Sequence, residues 1–176
     1  VAEVVGGELG AAAVPGEDLI EHLLIDSRNA VITPFTLFIA LRGPRHDGHR
    51  YIKDLVAGGL RHFLVMDEPD AALRGQANFI HVPDTLVALQ QLAAWHRSHF
   101  NYPVIGITGS NGKTIVKEWL FQMLRGEERI VRSPGSWNSQ VGVPLSVWQM
   151  SAEHTLGIFE AGISKPGEMD LLEPII

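Results

Sequence analysis

The sequence contains no cysteine among its 176 residues, which excludes disulfide bonds, thiol nucleophiles and metal sites built on thiolates. No apolar run approaches the roughly 20 residues that a membrane-spanning helix needs, and no signal-peptide pattern opens the sequence. Lysine and arginine number 14 against 20 acidic residues, a formal net charge of -6. No basic block stands out, which argues against nucleic acid as a partner. We therefore expect a cytoplasmic protein with no membrane insertion and no nucleic-acid partner.

Apolar residues make up 45% of the sequence, enough to bury a core, and the length suits one large or two small domains. Strand patterns alternate with helical ones over the first hundred residues. An amphipathic helix capped by Asp84 ends before Pro103, because proline blocks further helix. Strands alternate with helices again after it, which is typical of a parallel sheet. We predict an α/β fold: a small mixed α/β amino-terminal domain (residues 1–102), then part of a parallel-sheet, doubly wound domain with a phosphate loop (residues 103–176).

Particular segments carry this prediction. Strands are expected near residues 23–25, 37–41, 63–66, 79–82, 104–107, 129–132 and 156–159. Helices are expected after Tyr51, from Asp84, from Lys113 and over residues 144–150. Trp95, Trp119 and Trp148 fall at helical positions and are predicted to belong to the core. Residues 2–7 resemble the end of a helix and residues 166–176 an incomplete one, so we expect the chain to be part of a longer protein.

The most informative stretch for function is VIGITGSNGKT, residues 104–114. An apolar run leads into a glycine-rich turn, and Lys113 and Thr114 open a helical pattern. Such a turn aims backbone N–H groups and the positive end of a helix at one point, which suits a polyphosphate. The usual pattern, G-x-x-x-x-G-K-[ST], needs glycine where Ile107 stands. A glycine-rich turn that binds nothing is the alternative, but Gly-Lys-Thr at the helix start favours a nucleotide site.

This motif predicts roles for individual residues. Lys113 would reach the outer phosphates, and the Thr114 hydroxyl would ligate their magnesium ion. The predicted phosphate contacts are Gly109, Ser110, Asn111, Gly112, Lys113 and Thr114. Glu160 ends a buried strand pattern and would lie at the same sheet edge, where a carboxylate can bind Mg²⁺. A surface carboxylate at a strand end is an equally good interpretation of Glu160 taken alone.

Three further groups of polar residues have two interpretations each. Asp26-Ser27-Arg28 is either a turn with an internal salt bridge or a polar clamp for a phosphate or a base. Asn138 and Ser139 would hydrogen-bond a polar substrate, or would bond their own backbone in a turn. The residues around His49 are those of a metal site, but the neighbouring arginines favour a structural role.

Several segments together resemble the Mur ligase family, which builds the peptide stem of bacterial peptidoglycan. These are residues 26–28, 37–43, 47–49, 106–114, 117–118 and 138–145. The form of the phosphate loop resembles that of this family, and the early segments resemble its uridine-nucleotide domain. The later segments most resemble the members that add the final unit. Residues 133–149 look most like the Bacteroidetes version, which is fused to an alanine racemase. The family usually has a second asparagine where Ser139 stands.

The resemblance implies an ATP-dependent ligase that adds D-alanyl-D-alanine to UDP-N-acetylmuramoyl-tripeptide through an acyl phosphate, using ATP and Mg²⁺. Its catalytic residues would be Lys113 and Glu160, and its metal ligands Thr114 and Glu160. Its contacts to the UDP-linked substrate would be Ser27, Arg28, Asn138 and Ser139. Pyridoxal phosphate would be needed only if a racemase domain follows.

Other functions remain open from the sequence. They are the preceding ligase, which adds a diamino acid, the ligase part of a bifunctional ligase and racemase, and a non-catalytic nucleotide-binding module. The family's remaining metal ligands, adenine contacts and amino-acid-binding domain would lie beyond Ile176. We therefore expect these 176 residues to be inactive on their own.

Overall fold

A computed structural model describes residues 1–10, 19–29, 32–44 and 46–176. The chain forms two compact units, Val1–Ala88 and Leu89–Ile176. The division falls inside a helix, earlier in the chain than the domain boundary predicted after residue 102. The position of the functional domain boundary therefore stays a prediction.

The first unit is built on a five-stranded sheet. Its strands are β1 (Glu8–Leu9), β2 (His22–Leu24), β3 (Thr36–Ile39), β4 (His62–Val65) and β5 (Asn78–His81). They lie in the order β1-β5-β4-β3-β2, with β2 to β5 parallel and β1 antiparallel to β5. The sequence predicted β2 to β5 but not β1, since two residues with exposed side chains carry no periodic signal.

Short helices connect these strands. Helix α1 (Ile52–Ala57) follows a 3-10 turn at Gly48–Tyr51, and two more 3-10 turns lie at Ser27–Asn29 and Ala71–Leu73. The α1 side chains Leu55 and Val56 pack on the sheet in a buried apolar cluster. In that cluster the ring of Phe63 stacks on Phe79, with 5.2 Å between ring centroids. Burial of these rings gives the small unit a core of its own.

Helix α2 (Thr85–Arg97) begins where the sequence predicted a cap. One carboxylate oxygen of Asp84 accepts hydrogen bonds from the backbone N–H groups of Leu86 at 2.7 Å and Val87 at 3.1 Å. Farther along, Ala93 is buried in the apolar cluster of the second unit. Nε2 of His96 donates to the Met150 carbonyl oxygen, 3.0 Å away. These contacts explain why the later turns of α2 belong with the second unit.

The second unit contains three parallel strands. Its elements are β6 (Val104–Ile107), α3 (Lys113–Leu124), β7 (Ile130–Arg132), α4 (Gly142–Val147), β8 (Leu156–Glu160), α5 (Glu168–Leu172) and a 3-10 turn at Glu173–Ile175. The strand order is β6-β8-β7, and both pairs are parallel. The register places Ile107 opposite Glu160. The end of the strand that precedes the predicted phosphate loop therefore lies beside Glu160.

Helices cover both faces of this sheet. Phe159 is buried among side chains of α4 and α5, whereas its neighbour Glu160 contacts α3 on the opposite face, as the pleat requires. Parallel strands with helices on two faces confirm the predicted α/β class, and the first unit is a small mixed α/β unit, as predicted. Among the residues described, no helix is long and apolar enough to cross a membrane.

The prediction that Trp95 and Trp119 belong to the core is wrong. Trp95 is 46% exposed and Trp119 is 66% exposed. Met123 lies on the same outer side of α3 as Trp119 and is 76% exposed, whereas Lys117 of that helix is fully buried. Helical periodicity shows which residues share a face, but it does not show which face turns inward. The ring of Trp148 does pack against His96, with 4.5 Å between ring centroids.

Candidate active site at the phosphate loop

The loop between β6 and α3 has the shape that the motif predicts. Its residues, 108–112, are exposed to solvent. Gly109 has φ 138° and Gly112 has φ 80°, in the region that side chains with a Cβ rarely adopt. Gly112 caps α3 without a side chain, so the first N–H groups of the helix face the loop. A concave backbone of this kind suits phosphate oxygens.

Lys113 lies over this loop. Its ammonium donates to the carbonyl oxygen of Gly109 at 2.6 Å, so the side chain folds back toward the glycine-rich turn. The next residue, Thr114, turns toward the sheet. Its hydroxyl donates to Oε2 of Glu160 at 3.1 Å. The two residues predicted to act at the phosphates therefore lie at the start of one helix, one on each side of the turn.

Glu160 is fully buried rather than a surface carboxylate. Besides the Thr114 hydroxyl, its Oε2 accepts a weak hydrogen bond from the Asn138 side-chain amide at 3.4 Å. Its backbone N–H donates to Oγ of Ser133 at 3.1 Å. The structure thus brings three predicted site residues, Thr114, Asn138 and Glu160, to one carboxylate group at the end of β8.

Lys117 lies in one of the segments that resemble the family, but no site role was predicted for it. Its ammonium lies 2.9 Å from Oε1 of Glu160, and both side chains are 0% exposed. A signal was available in the sequence: Lys117 comes three residues after Thr114 and four after Lys113, so it shares their helix face. Its burial was not expected, because the apolar residues of α3 were assumed to form the face that packs on the sheet.

A pocket of about 370 Å³ lies beside Lys113. Asn138 and Ser139 line one side of it, and Gly162, Ser164 and Glu168 line the other. The backbone N–H of Gly162 donates to the Asn138 carbonyl at 2.7 Å. A Cβ at Gly162 would meet Cγ and Oδ1 of Asn138 at 3.0 Å, so any larger residue here would require the Asn138 side chain to shift. Gly162, Ser164 and Glu168 were not predicted.

Asn138 and Ser139, both predicted to contact substrate, make different hydrogen bonds. Oγ of Ser139 accepts from the backbone N–H of Gly142 at 3.1 Å, which is the turn interpretation considered for this residue. The Asn138 amide instead faces Glu160. On the far side of the pocket, hydrogen bonds from the backbone N–H groups of Ser164 and Lys165 lower the pKa of Glu168, so this carboxylate is charged and already engaged at neutral pH.

Ser27 and Arg28 lie in the first unit, in the 3-10 turn after β2. The Arg28 side chain is 84% exposed and pairs with Asp26, with Nη2 and Oδ2 2.5 Å apart. This ion pair agrees with the interpretation of residues 26–28 as a turn with an internal salt bridge. It engages Nε and Nη2 of the guanidinium. Among the described residues, a 430 Å³ pocket of this unit has neither Ser27 nor Arg28 in its lining.

The residues around His49 have a structural role. Nδ1 of His49 lies 2.6 Å from Oδ1 of Asp47, and Nε2 accepts from the backbone N–H of Met66 at 2.9 Å. Both ring nitrogens are therefore used. Asp67 completes a group with the residue types of a metal site, but Arg42 bonds both Asp47 and Asp67, which disfavours a cation there.

Two family models match the chain over most of its length. The model described as "Mur ligase family, catalytic domain" matches residues 19–97, and "Mur ligase middle domain" matches residues 107–176. The chain belongs to the Mur ligase family. The predicted residues Lys113, Thr114, Asn138 and Glu160 all lie within the part of this Mur ligase chain matched by the middle-domain model.

Several relatives of this Mur ligase chain are named for the same ligase activity. The chain is 40% identical over 86% of its length to a UDP-N-acetylmuramoyl-tripeptide--D-alanyl-D-alanine ligase of Treponema pallidum, of which it covers 34%. A crystal structure of MurF from Acinetobacter baumannii aligns with 99% of this chain, and the aligned part is 37% of the MurF chain; the identity is 31% and the TM-score is 0.89. A crystal structure of MurF from Thermotoga maritima in complex with ADP aligns with 92% of this chain, and the aligned part is 36% of that MurF chain; the identity is 26% and the TM-score is 0.78. The chain thus spans about a third of the length of these relatives.

The Mur ligase site offers suitable donors for a magnesium ion. Mg²⁺ prefers oxygen ligands and keeps several waters, binding through one or two protein oxygens and the phosphates of its nucleotide. The Thr114 hydroxyl and Oε2 of Glu160 are such oxygens and lie 3.1 Å apart. Lys117 balances the charge of Glu160. A cation at this position therefore depends for its binding on the negative charge that the phosphates bring with them.

Proposed function

We propose that the protein to which this chain belongs is an ATP-dependent ligase that joins D-alanyl-D-alanine to UDP-N-acetylmuramoyl-tripeptide. The observation that carries this proposal is the hydrogen bond between Thr114 and the buried Glu160 beside the phosphate loop. A hydroxyl and a carboxylate at that place fit phosphoryl transfer from a magnesium-bound nucleotide. The ligase activity for which the relatives are named supports the particular amide bond.

The reaction forms the amide in two steps. A carboxylate oxygen of the tripeptide attacks the γ-phosphorus of ATP, and the bond to the β,γ-bridging oxygen breaks, which gives an acyl phosphate and ADP. The amine of the dipeptide then attacks the acyl carbon, phosphate leaves with the electron pair of the broken bond, and the amine loses a proton. Catalysis of this kind depends on positioning and on neutralising charge, so the protein needs no nucleophile of its own.

The proposed roles follow from the positions of the side chains. The N–H groups of residues 109–114 would hold the phosphates, and the Lys113 ammonium, now on Gly109 O, would move a short distance onto the outer phosphate oxygens. Thr114 and Glu160 would hold Mg²⁺, which supplies charge neutralisation at the phosphates. Asn138 and Ser139 line the pocket beside Lys113, where the muramoyl end of the substrate would approach.

Ser27 and Arg28 are proposed to contact the uridine nucleotide. Asp26 uses only one edge of the Arg28 guanidinium, and Arg carries five N–H donors. Nη1 can therefore donate to a phosphate oxygen while the pair with Asp26 persists. The exposure of Arg28 leaves room for such a ligand.

The test is an assay of phosphate release by the full-length protein. Release should require ATP, Mg²⁺, the UDP-linked tripeptide and the dipeptide together, and Lys113→Met should abolish it. Lys53→Met, which removes an exposed lysine of α1, is the matched control and should leave the rate unchanged. Activity with a single diamino acid in place of the dipeptide would identify the preceding ligase instead. Tight nucleotide binding with no turnover of any of these substrates would favour a non-catalytic module.

Two predictions about the longer protein accompany this proposal. The 176 residues alone should show no turnover, and phosphate release by that segment would contradict the assignment of further essential groups to the rest of the protein. A racemase domain that uses pyridoxal phosphate, and a cytoplasmic location, stay predictions. The absorbance of an internal aldimine in the purified full-length protein would reveal the former.

A further inference from the structure

Lys117 is held by three acceptors, all from parts of the chain distant from α3. Its ammonium lies 2.9 Å from Oε1 of Glu160, donates to the Ser133 carbonyl at 2.8 Å, and donates to the Gly135 carbonyl. A lysine ammonium has three N–H donors and no acceptor. The ammonium is therefore fixed by two hydrogen bonds to backbone carbonyls and by an ion pair with a buried carboxylate.

Such a lysine is unusual in a helix that packs on a sheet. Lys117 is 0% exposed, and burial of an ammonium is costly unless it is paired and hydrogen-bonded. A buried ion pair is often no more stable than apolar side chains of the same volume. Stability alone is therefore a poor reason for a lysine at this position, whereas a need to hold its acceptors in place is a sufficient one.

From this geometry we propose that Lys117 is a positioning residue that joins the magnesium-binding carboxylate to the substrate loop, defined here as residues 133–141. The inference rests on the proposed function. It adds a role for a residue outside the phosphate-loop motif and the metal ligands.

On the nucleotide side, Lys117 orients Glu160. Because the ammonium takes Oε1, the other oxygen, Oε2, is directed at the Thr114 hydroxyl. Rotation of the carboxylate would break both contacts. Lys117 thus leaves Oε2 of Glu160 facing the proposed metal position and keeps Oε1 in the ion pair.

On the substrate side, Lys117 anchors the start of the substrate loop. It holds two carbonyl groups of that loop, at Ser133 and Gly135. Oγ of Ser133 in turn accepts from the backbone N–H of Glu160. Asn138, three residues after Gly135, reaches the same carboxylate. A shift of Lys117 would therefore move the substrate loop and Glu160 together.

Neighbouring charges complete a balanced group around this lysine. Oε1 of Glu118 lies 3.4 Å from the Lys117 ammonium and pairs with Arg132 of β7. The guanidinium of Arg132 lies over the Phe121 ring, 3.9 Å from its centroid. Two cations and two carboxylates thus balance each other, and loss of Lys117 would release Oε1 of Glu160 and with it the orientation of the carboxylate.

The experiment uses Lys117→Met and Lys117→Arg in the full-length protein, with Arg125→Met as the control. Arg125 is an exposed cation just after the same helix. For each variant, phosphate release gives the half-saturating Mg²⁺ concentration at fixed ATP and the KM values for the UDP-linked tripeptide and for the dipeptide. Removal of a partner that orients a metal ligand typically weakens metal binding about 10- to 100-fold, and we expect Lys117→Met to raise the Mg²⁺ requirement by that factor.

The pattern of constants separates positioning from stability. If Lys117 positions both Glu160 and the substrate loop, Lys117→Met raises the Mg²⁺ requirement and the KM for the tripeptide together and leaves the KM for the dipeptide unchanged. A purely structural lysine would lower the active fraction, so kcat would fall while all three constants stayed at wild-type values. That second pattern would overturn the proposal.

The arginine variant keeps the proposal testable if Lys117→Met does not fold. Lys117→Arg retains a cation beside Glu160, but its planar guanidinium cannot match three converging acceptors. We expect a near-normal Mg²⁺ requirement with a raised tripeptide KM, and wild-type values for both would contradict the proposal. Failure of the wild-type protein to turn over would instead refute the proposed function, independently of Lys117.

Discussion

Two ion pairs in this chain are similar in chemistry and opposite in setting. Lys117 and Glu160 are both 0% exposed and come from α3 and β8. Arg28 and Asp26 are 84% and 48% exposed and stand two residues apart in one turn. The buried pair depends on the packing of a helix on a sheet, whereas the exposed pair forms within a single segment. The site in the second unit therefore depends on contacts between residues far apart in the chain, whereas the turn in the first unit depends on residues close together in the chain.

The largest expected difference between the pairs is in stability. Glu160→Ala leaves the Lys117 ammonium buried without its carboxylate, and loss of one partner of a buried pair typically lowers the free energy of unfolding by about 3–5 kcal/mol. Asp26→Ala removes an exposed carboxylate, and we expect no measurable change. Urea denaturation of both variants checks this. Equal midpoints for the two would show that burial does not distinguish the pairs.

A substitution of similar volume tests the metal side of the buried pair. Thr114→Val keeps the shape of the side chain but removes the hydroxyl that bonds Glu160. Because this hydroxyl orients Glu160 and is itself a proposed Mg²⁺ ligand, we expect about 10- to 100-fold weaker binding of an ATP analogue in Mg²⁺. Calorimetry measures this. Thr155→Val, which removes a hydroxyl bonded to Glu128, is the control and should bind normally.

Two glycine-to-alanine substitutions test how tightly the substrate loop is packed. In Gly162→Ala the new Cβ would lie 3.0 Å from the Asn138 side chain, and overpacking of this kind typically costs about 1–3 kcal/mol. Gly126→Ala adds the same methyl group where nothing lies within 4 Å, so it should be neutral. Thermal unfolding compares the two. An unchanged Tm for Gly162→Ala would mean that the contact with Asn138 relaxes freely.

The smallest effect concerns the acidity of the exposed pair. The hydrogen bond from the Arg28 side chain lowers the pKa of Asp26 to about 2. Because this folded-state pKa is below the ordinary Asp value of 3.8, the pair favours the folded state at neutral pH, but solvent screening keeps this contribution too small to change the urea midpoint of Asp26→Ala. This contribution is lost as the pH falls toward 2. The NMR titration of the Asp26 carboxyl carbon should show the low pKa, and Arg28→Ala should raise it toward the ordinary range, while the backbone N–H of residue 28 still lowers it in part.

Sequence patterns predicted what local interactions determine. The cap at Asp84, the glycine-rich turn before Lys113 and the internal pair of Asp26 and Arg28 each depend on residues close together in the chain. The placement of Glu160 beside the phosphate loop also followed, since parallel strands present their carboxyl ends at one edge.

Other features depended on contacts that no local pattern contains. Lys117 was missed because α3 presents Trp119 and Met123 outward, the reverse of the usual amphipathic arrangement. Gly162 was missed because its role comes from the approach of Asn138, which lies in another segment. The spacing of Lys117 from Lys113 and Thr114 places it on their helix face, but its contact with Glu160, like the role of Gly162, depends on how separate segments pack.

Strand β8 alternates between two environments one residue apart. Phe159 enters the apolar cluster and Glu160 meets Lys117. A single residue inserted or deleted inside Leu156–Glu160 would exchange the two, sending a carboxylate into hydrocarbon and a phenyl ring toward the ammonium. The number of residues in this strand is thus under the same constraint as their identities. Among homologous sequences, gaps should avoid this strand and accumulate in the exposed turns.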